Sequence, residues 1–300
     1  MRTDCKSFLV LVVLAGGAMT CLAQTTATCS YQMFQYPAAE VTYPSGINPY
    51  GTIVGGAALK AGDAEFAFIR YSTGGFTNFT NSATSTVLYR RNSNGATVGG
   101  YDSFGGGTHG LLLTGTTFQT IDYPGAKYTF IRGINNWGTT IGFRSSSSGQ
   151  YVGFKRWTNS SFQQIQFPGQ TGTFPTAISD TGIIVGWVGT STPPVGTSHG
   201  FVLANGKYVM VDDPKAAPGS TVLNDVNSTA TIVGTGWSRT LNTPKSHGFH
   251  IVNGKFEYLV VPSAIDSTAD GVNKYGIIVG SATFTGSSGL VTKGYIAHCQ

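Results

Sequence analysis

A nine-residue pattern recurs six times along this chain and constrains its fold more than any other feature. The clearest copy spans residues 178–186, with the sequence I-S-D-T-G-I-I-V-G. The other copies begin at Ile47, Arg91, Ile134, Val226 and Val272. Measured between their last glycines, consecutive copies lie 43 to 48 residues apart. A period of this length in strand-rich sequence is typical of repeat architectures such as propellers and solenoids.

Each repeat predicts four β-strands. In the fourth copy, a short strand at 176–178 and a β-branched strand at 183–188 flank the turn residues Asp180 and Gly182. Two further strands at 198–203 and 207–211 flank an Asn-Gly pair, which is the strongest short signal for a β-hairpin. Helical periodicity is absent, so the sequence predicts an all-β fold.

The two ends of the chain complement each other. The sixth copy stops at Gln300 before its fourth strand, and residues 31–37 carry the missing strand pattern. When the two chain ends are aligned with the fourth copy, Cys299 and Cys29 fall on the positions of Asn205 and Gly206, the two adjacent residues of a hairpin turn. We therefore expect a ring, since a solenoid would need capping repeats instead. The prediction is a six-bladed β-propeller of about 45-residue, four-stranded repeats, its last blade completed by residues 29–37 and pinned by a Cys29–Cys299 disulfide.

The first 23 residues predict export. Arg2 and Lys6 precede an apolar run at 8–15 and a small-residue exit at Ala23, which is the pattern of a secretory signal peptide. Acylation of Cys21 is the alternative. No apolar run reaches the roughly 20 residues of a membrane span. Residues 24–300 are then one secreted, disulfide-bonded domain, which we expect to be a monomer.

Composition argues against some partners. Charged residues make up 10% of the chain, and the net charge of +5 is spread thinly. A protein that tracks a phosphate backbone concentrates its basic residues in a patch. We expect no nucleic-acid partner, and no motif indicates a cofactor.

The combination of I-N-x-x-G-x-I-V-G with a following His-Gly-Phe, as at His199, resembles the extracellular HAF repeats, named for His-Ala-Phe at that second position. The resemblance covers all six copies, although Ala230 replaces the turn glycine in the fifth. It implies an exported repeat protein of unassigned activity, and it brings no catalytic residues.

Motifs that suggest chemistry have simpler explanations here. The Asp-Thr-Gly at Asp180 resembles an aspartic-protease tripeptide, but that chemistry needs two such carboxylates, and other copies place Pro49 or Lys274 in the same slot. His109, His199 and His247 fill one slot in three repeats, so they should lie on separate blades and form structural hydrogen bonds. We expect neither a metal site nor an enzyme.

Aromatic residues near the I-V-G glycine are the candidate ligand-binding residues. They are Tyr101, Phe143, Trp187 and Trp237. Such rings combine apolar area with a polar handle, although packing between blades is the more common role, because large aromatic side chains are mostly buried. The sequence thus predicts a secreted, non-enzymatic module that binds a glycan or a protein. The alternatives are an extracellular carbohydrate-active enzyme with acids in the propeller channel, and a structural matrix or adhesin component.

Overall fold

The computed structural model describes residues 25–79, 85–146, 148–189, 197–238, 245–287 and 289–300. The predicted signal peptide at 1–23 lies outside these residues, as do the segments 190–196 and 239–244. Within the described ranges the chain is all-β, with a β-propeller arrangement and no helix. Accordingly, none of these residues belongs to a helix long and apolar enough to cross a membrane.

Four repeats each form a separate sheet of four consecutive antiparallel strands. The second repeat contains β7 (Ser85–Arg91), β8 (Thr97–Asp102), β9 (Thr108–Thr114) and β10 (Thr117–Ile121). The third contains β11 (Thr129–Ile134), β12 (Thr140–Ser145), β13 (Tyr151–Arg156) and β14 (Phe162–Ile165). The fourth contains β15 (Thr173–Ile178), β16 (Ile184–Gly189), β17 (Ser198–Ala204) and β18 (Lys207–Val211). The fifth contains β19 (Thr221–Val226), β20 (Ile232–Ser238), β21 (Lys245–Val252) and β22 (Lys255–Tyr258), with β1 (Thr25–Thr26) added parallel to β22.

The first and sixth repeats share a nine-stranded sheet. The first repeat contributes β3 (Val41–Ile47), β4 (Ile53–Ala58), β5 (Phe66–Arg70) and β6 (Phe76–Phe79). The sixth contributes β23 (Asp266–Ser267), β24 (Gly271–Val272), β25 (Ile278–Gly286) and β26 (Gly289–Cys299). The two halves meet at a single parallel pair between Thr292 and Val41.

The chain ends pair with each other. Strand β2 (Cys29–Phe34) lies antiparallel to β26, with pairs running from Cys29↔Cys299 to Phe34↔Gly294. The predicted disulfide is confirmed, with a Cα–Cα distance of 4.1 Å. The strand begins at Cys29, the predicted start of the segment 29–37, but ends three residues early at Phe34, because the Tyr36 backbone N–H donates to the Thr42 hydroxyl.

The glycine that ends I-V-G is required by a close backbone approach. In all six copies a Cβ at this glycine would lie 1.8 to 2.5 Å from a carbonyl oxygen of the adjacent first strand. No side chain tolerates such a contact. Immediately opposite, the first strand carries a bulge, in which one residue is left out of the ladder. The bulged residues of the first five repeats are Ser45, Tyr89, Arg132, Thr176 and Asn224.

The asparagine of I-N-x-x-G organises the following turn. Asn135 Oδ1 accepts the backbone N–H groups of Trp137 and Thr139 at 3.1 and 3.0 Å. Its side-chain amide reaches the neighbouring turn at the Ser179 carbonyl, 3.5 Å away. The turn closes at a residue with positive φ, which is glycine in five copies and Ala230, at φ 61°, in the fifth.

The disulfide generates the first testable prediction. Replacing both Cys29 and Cys299 with serine should lower the free energy of unfolding by roughly 2–5 kcal/mol, because the bridge closes almost the whole chain into one loop. Chemical denaturation of the wild type and the double variant measures the difference.

Intact-mass analysis without reductant provides the control, since the oxidised wild type carries no free thiol. Equal stability of the two proteins, with the wild type shown to be oxidised, would contradict the prediction.

Candidate functional site at the mouth of the channel

The bulged residues of several first strands converge on one cavity. It measures about 360 Å³, within the range of small-ligand sites. Asp270 occupies the corresponding place in the sixth repeat, because it precedes Gly271-Val272 as Ser45 precedes Gly46-Ile47. The polar lining consists of Tyr43, Ser45, Glu65, Tyr89, Arg90, Arg132, Asn224, Thr268, Asp270 and Ser281.

Arg90 lines the inner end of this cavity. Most first strands carry a small residue after the bulge, which lets neighbouring backbones touch: a Cβ at Gly271 would lie 2.8 Å from the Gly46 Cα. Arg90 instead extends its guanidinium among the strands and donates to the carbonyls of Ser45, Asn224 and Asp270. It also lines a second cavity of about 100 Å³ on the turn side.

Asp225 is the counter-ion of Arg90. Its Oδ1 lies 3.2 Å from Arg90 Nε, and its two oxygens accept the N–H groups of Val226 and Val272 at 2.9 Å each. Burial lowers the pKa of Arg90 and raises the pKa of Asp225, and in each case the partner's charge opposes the change. The desolvation of both charges therefore exceeds their mutual attraction, as is common for buried ion pairs.

Asp270 is a half-buried carboxyl group in the lining of the cavity. The Thr268 hydroxyl donates to its Oδ2 at 2.5 Å, and the Asn224 amide lies 3.4 Å from its Oδ1. Burial raises the pKa of Asp270 to about 6, although the hydrogen bond from Thr268 and the nearby Arg90 oppose the change. A carboxyl group with this pKa changes its protonation state near pH 6.

Arg132 and Tyr43 are two further polar side chains that line the cavity. The Arg132 guanidinium carbon lies 3.8 Å from the centroid of the Tyr89 ring, and no residue in the described ranges forms a hydrogen bond or ion pair with this guanidinium. The buried Tyr43 hydroxyl lies close to the Glu65 carboxyl, which interacts with it. Burial, and second the nearby Glu65, raises the pKa of Tyr43. The cavity thus offers donors and acceptors to a polar ligand.

Three of the four predicted ligand-binding aromatics pack in one cluster near the start of the first strands. Trp187 is 7% exposed and stacks on Phe174, with ring centroids 3.8 Å apart. Phe143 and Trp237 are half-buried against this pair. Tyr101 lies apart from them, with its hydroxyl 2.8 Å from that of Thr120. Ligand binding by these rings stays a prediction, and the burial of Trp187 favours packing as its role.

The repeated histidines bind carboxylates. His109 and His199 lie 2.9 and 2.8 Å from Asp122 and Asp212, each within its own sheet. His247 Nε2 lies 2.6 Å from Asp213, which belongs to the preceding repeat. The described residues contain no group of three or more His, Cys, Asp or Glu side chains able to hold a metal.

The aspartate of the Asp-Thr-Gly tripeptide lies in a turn. Asp180 accepts the backbone N–H and the side-chain amide of Asn136 at 2.8 and 2.7 Å, and Gly182 has a positive φ of 83°. The carboxylate thus joins two adjacent turns of the repeat.

Comparison with known proteins identifies the fold alone. No family model and no curated protein matches the chain. Among solved structures, a putative TolB from Agrobacterium tumefaciens is 12% identical, with a TM-score of 0.56 over 78% of this chain and 89% of that one. AofleA from Arthrobotrys oligospora is 13% identical, with a TM-score of 0.53 over 91% and 90% of the two chains. A catalytically inactive virginiamycin B lyase from Staphylococcus aureus with quinupristin is 9% identical, with a TM-score of 0.51 over 90% and 99%. These are propeller proteins, and this chain has their kind of fold.

Arg90 should be essential to stability. Replacing it with methionine is expected to cost about 3–5 kcal/mol of unfolding free energy, because Asp225 is left as an uncompensated buried charge. Adding Asp225→Asn should recover a substantial part of the loss. Equilibrium unfolding in urea compares the three proteins, and an unchanged midpoint for Arg90→Met would exclude the role assigned to the pair.

Asp270 should make stability depend on pH. Because its folded pKa of about 6 exceeds the ordinary value of 3.8, the folded state holds a proton that the unfolded state has lost between these values. Stability should therefore fall as pH rises from about 4 to about 6. Asp270→Asn removes this contribution, which amounts to about 3 kcal/mol at most.

Unfolding free energies of the wild type and Asp270→Asn measured from pH 4 to pH 7 test this point. The advantage of the variant should grow with pH and level off above about 6. A constant difference across the range would contradict the raised pKa.

Proposed function

We propose that this chain is a secreted binding module, a closed six-bladed propeller that holds a neutral, polyhydroxylated ligand of the glycan class in the channel-mouth cavity. The unit is a single domain at 24–300 of the HAF-repeat type that acts as a monomer without catalysis. The observation that carries the binding function is the Arg132 guanidinium, which lines that cavity and forms no hydrogen bond or ion pair with the described residues.

The blade count and closure rest on contacts between the first and sixth repeats. Strands β25, β26 and β2 form three antiparallel strands like the outer three of the other repeats, with β23 and β24 on the inner side. The Asn273 amide lies 3.3 Å from the Asn48 carbonyl, as Asn92 binds Asn135 in the adjacent second and third repeats. These contacts support a sixth blade next to the first.

Secretion rests on the leader-like first 23 residues and on the disulfide, since disulfides persist in oxidising compartments. The bridge joins the two strands that complete the last blade. A disulfide at this position would link the two chain ends covalently, and it requires an oxidising compartment outside the cytosol.

The cavity suits a sugar more than a charged ligand. Arg90 and Arg132 are offset by Glu65 and Asp270 among its lining residues, so neither sign of charge dominates. Sugar hydroxyls both donate and accept, and the lining supplies carboxyl, amide, hydroxyl and guanidinium groups. Buried polar groups that a ligand satisfies contribute strongly to specificity.

An extracellular hydrolase is the second candidate, because two carboxyl groups, Glu65 and Asp270, line the same cavity. A carboxyl group with a pKa of about 6 suits a general acid near neutral pH, and glycoside cleavage commonly uses two carboxyl groups. Release of reducing sugar that is lost in both Glu65→Gln and Asp270→Asn would establish this function and exclude the non-enzymatic one.

Arg132→Ala tests the binding function. It removes a cation available for charge-assisted hydrogen bonds, each worth about 1.5–3 kcal/mol, so affinity should fall roughly tenfold to a hundredfold. Calorimetry of the purified protein with glucose, galactose, mannose, N-acetylglucosamine and their soluble oligomers measures the effect.

Arg144→Ala is the matched control, because Arg144 makes a similar contact, 4.2 Å from the Tyr123 ring centroid, and is not among the residues that line the cavity. Its affinity should equal that of the wild type. Absence of heat from every sugar, or equal loss in both variants, would remove the support for this site.

A further inference from the structure

Three large aromatic side chains project into solvent from equivalent turns on the face opposite the cavity. Tyr50, Trp137 and Tyr275 are 68%, 72% and 68% exposed. Each stands two residues after the turn asparagine or its equivalent, between the first and second strands of its repeat. Such exposure of large apolar side chains at repeated positions indicates an interaction surface.

The backbone that carries these rings is held in place before any ligand arrives. The backbone N–H groups of Tyr50, Trp137 and Tyr275 donate to the Oδ1 atoms of Asn48, Asn135 and Asn273 at 3.0, 3.1 and 3.0 Å. The indole of Trp137 also donates to the Asp180 carbonyl at 3.1 Å. Because the turns are already ordered, binding costs little conformational entropy.

Hydrogen bonds between turns place the rings on one continuous surface. The turn of Tyr275 contacts that of Tyr50 through Asn273 and the Asn48 carbonyl. The second turn contacts that of Trp137 through Asn94 and the Asn136 carbonyl, 3.0 Å apart. The first and second turns both line the small cavity at the centre of this face. The aromatic residues therefore follow an arc around the channel opening.

The spaces between the rings are polar and almost uncharged. In the other three turns the aromatic position holds exposed Asn94, Thr181 and Thr229. The charged side chains nearby are Asp180, which binds Asn136, and Lys274, whose ammonium lies 4.9 Å from the Tyr275 ring centroid. Arg91 also lies beside Gly95 of the second turn, where it donates to the Thr97 hydroxyl. A nucleic acid would need a concentration of basic residues, and a protein interface has a contiguous apolar core. Neither is present among these turns.

Separated aromatic faces with neutral amides and hydroxyls between them match the chemistry of a pyranose chain. The C–H face of a sugar ring packs on an aromatic face, while its hydroxyls meet the intervening polar groups. We propose that the arc of Tyr50, Trp137 and Tyr275 is a second binding surface, which holds an extended neutral polysaccharide across several sugar units. This surface deepens the glycan-binding function proposed above, but it lies on the opposite face from the cavity and is tested separately.

The test compares retention of the purified protein on insoluble cellulose, chitin and mannan. The triple variant Tyr50→Ala/Trp137→Ala/Tyr275→Ala should lose at least tenfold in apparent affinity for the polymer that retains the wild type, and Trp137→Ala alone should lose about threefold to tenfold. Phe104→Ala is the matched control, because Phe104 is 81% exposed in the turn between β8 and β9, at the other end of the sheet.

Thermal unfolding and near-ultraviolet circular dichroism of each variant separate loss of the surface from loss of the fold. Calorimetry with soluble sugars measures the cavity independently, and it should give the same values for the triple variant as for the wild type. Failure of the cavity therefore leaves the polymer result interpretable.

Retention of the triple variant equal to that of the wild type would overturn the proposal. The same holds if no polymer retains the wild type, or if retention depends on an added protein. Loss in Phe104→Ala as large as in the triple variant would show nonspecific adhesion and also exclude the assigned surface.

Discussion

The contact between the I-V-G glycine and the first strand is the constraint on which the rest of the structure depends. A Cβ at Gly142 would lie 1.8 Å from the Phe130 carbonyl oxygen, so the second strand must present bare backbone there. This approach coincides with the bulge in the first strand, which releases one residue from the ladder and changes the direction in which its side chain points. Repetition of the glycine thus creates a set of side chains free of the sheet, and the channel-mouth cavity is built from them.

Arg90 and Asp225 occupy the position that other first strands fill with small residues such as Gly46 and Gly133. Small residues let the backbones approach, but they supply no side-chain donor to the carbonyl oxygens of the neighbouring first strands. The Arg90 guanidinium donates hydrogen bonds to several of these carbonyl oxygens at once, because its planar group holds the N–H donors in fixed, divergent directions. The cost is the desolvation of two charges, which the directions of both pKa changes reflect. We infer that the pair contributes order among the first strands more than net stability.

The sequence predicted the parts of the fold that depend on local repetition. The strands and the turns follow from patterns that each copy contains separately, and the Cys29–Cys299 bridge follows from comparing the two chain ends with a complete copy. Arg90 was missed, although two consecutive arginines stand out at 90–91, where the other copies have Gly, Ala or Asp followed by Ile or Val. Its partners, Ser45, Asn224 and Asp270, come from three distant repeats, and no local pattern encodes that meeting. Trp187 shows the converse limit: sequence identified a non-repeated aromatic, but only packing against Phe174 distinguishes a buried ring from an exposed one.

The two faces of the protein differ because the repeat constrains different positions on each. On the turn face, the asparagine oxygen fixes the backbone around Tyr50, Trp137 and Tyr275 but makes no demand on those side chains. The corresponding residues elsewhere are small and polar, so folding does not require an aromatic at this position. Exposed aromatic surface costs solubility and adds nothing to the core. Three such rings on already rigid turns are therefore best explained by contact with a ligand, whereas the buried cluster around Trp187 is explained by packing.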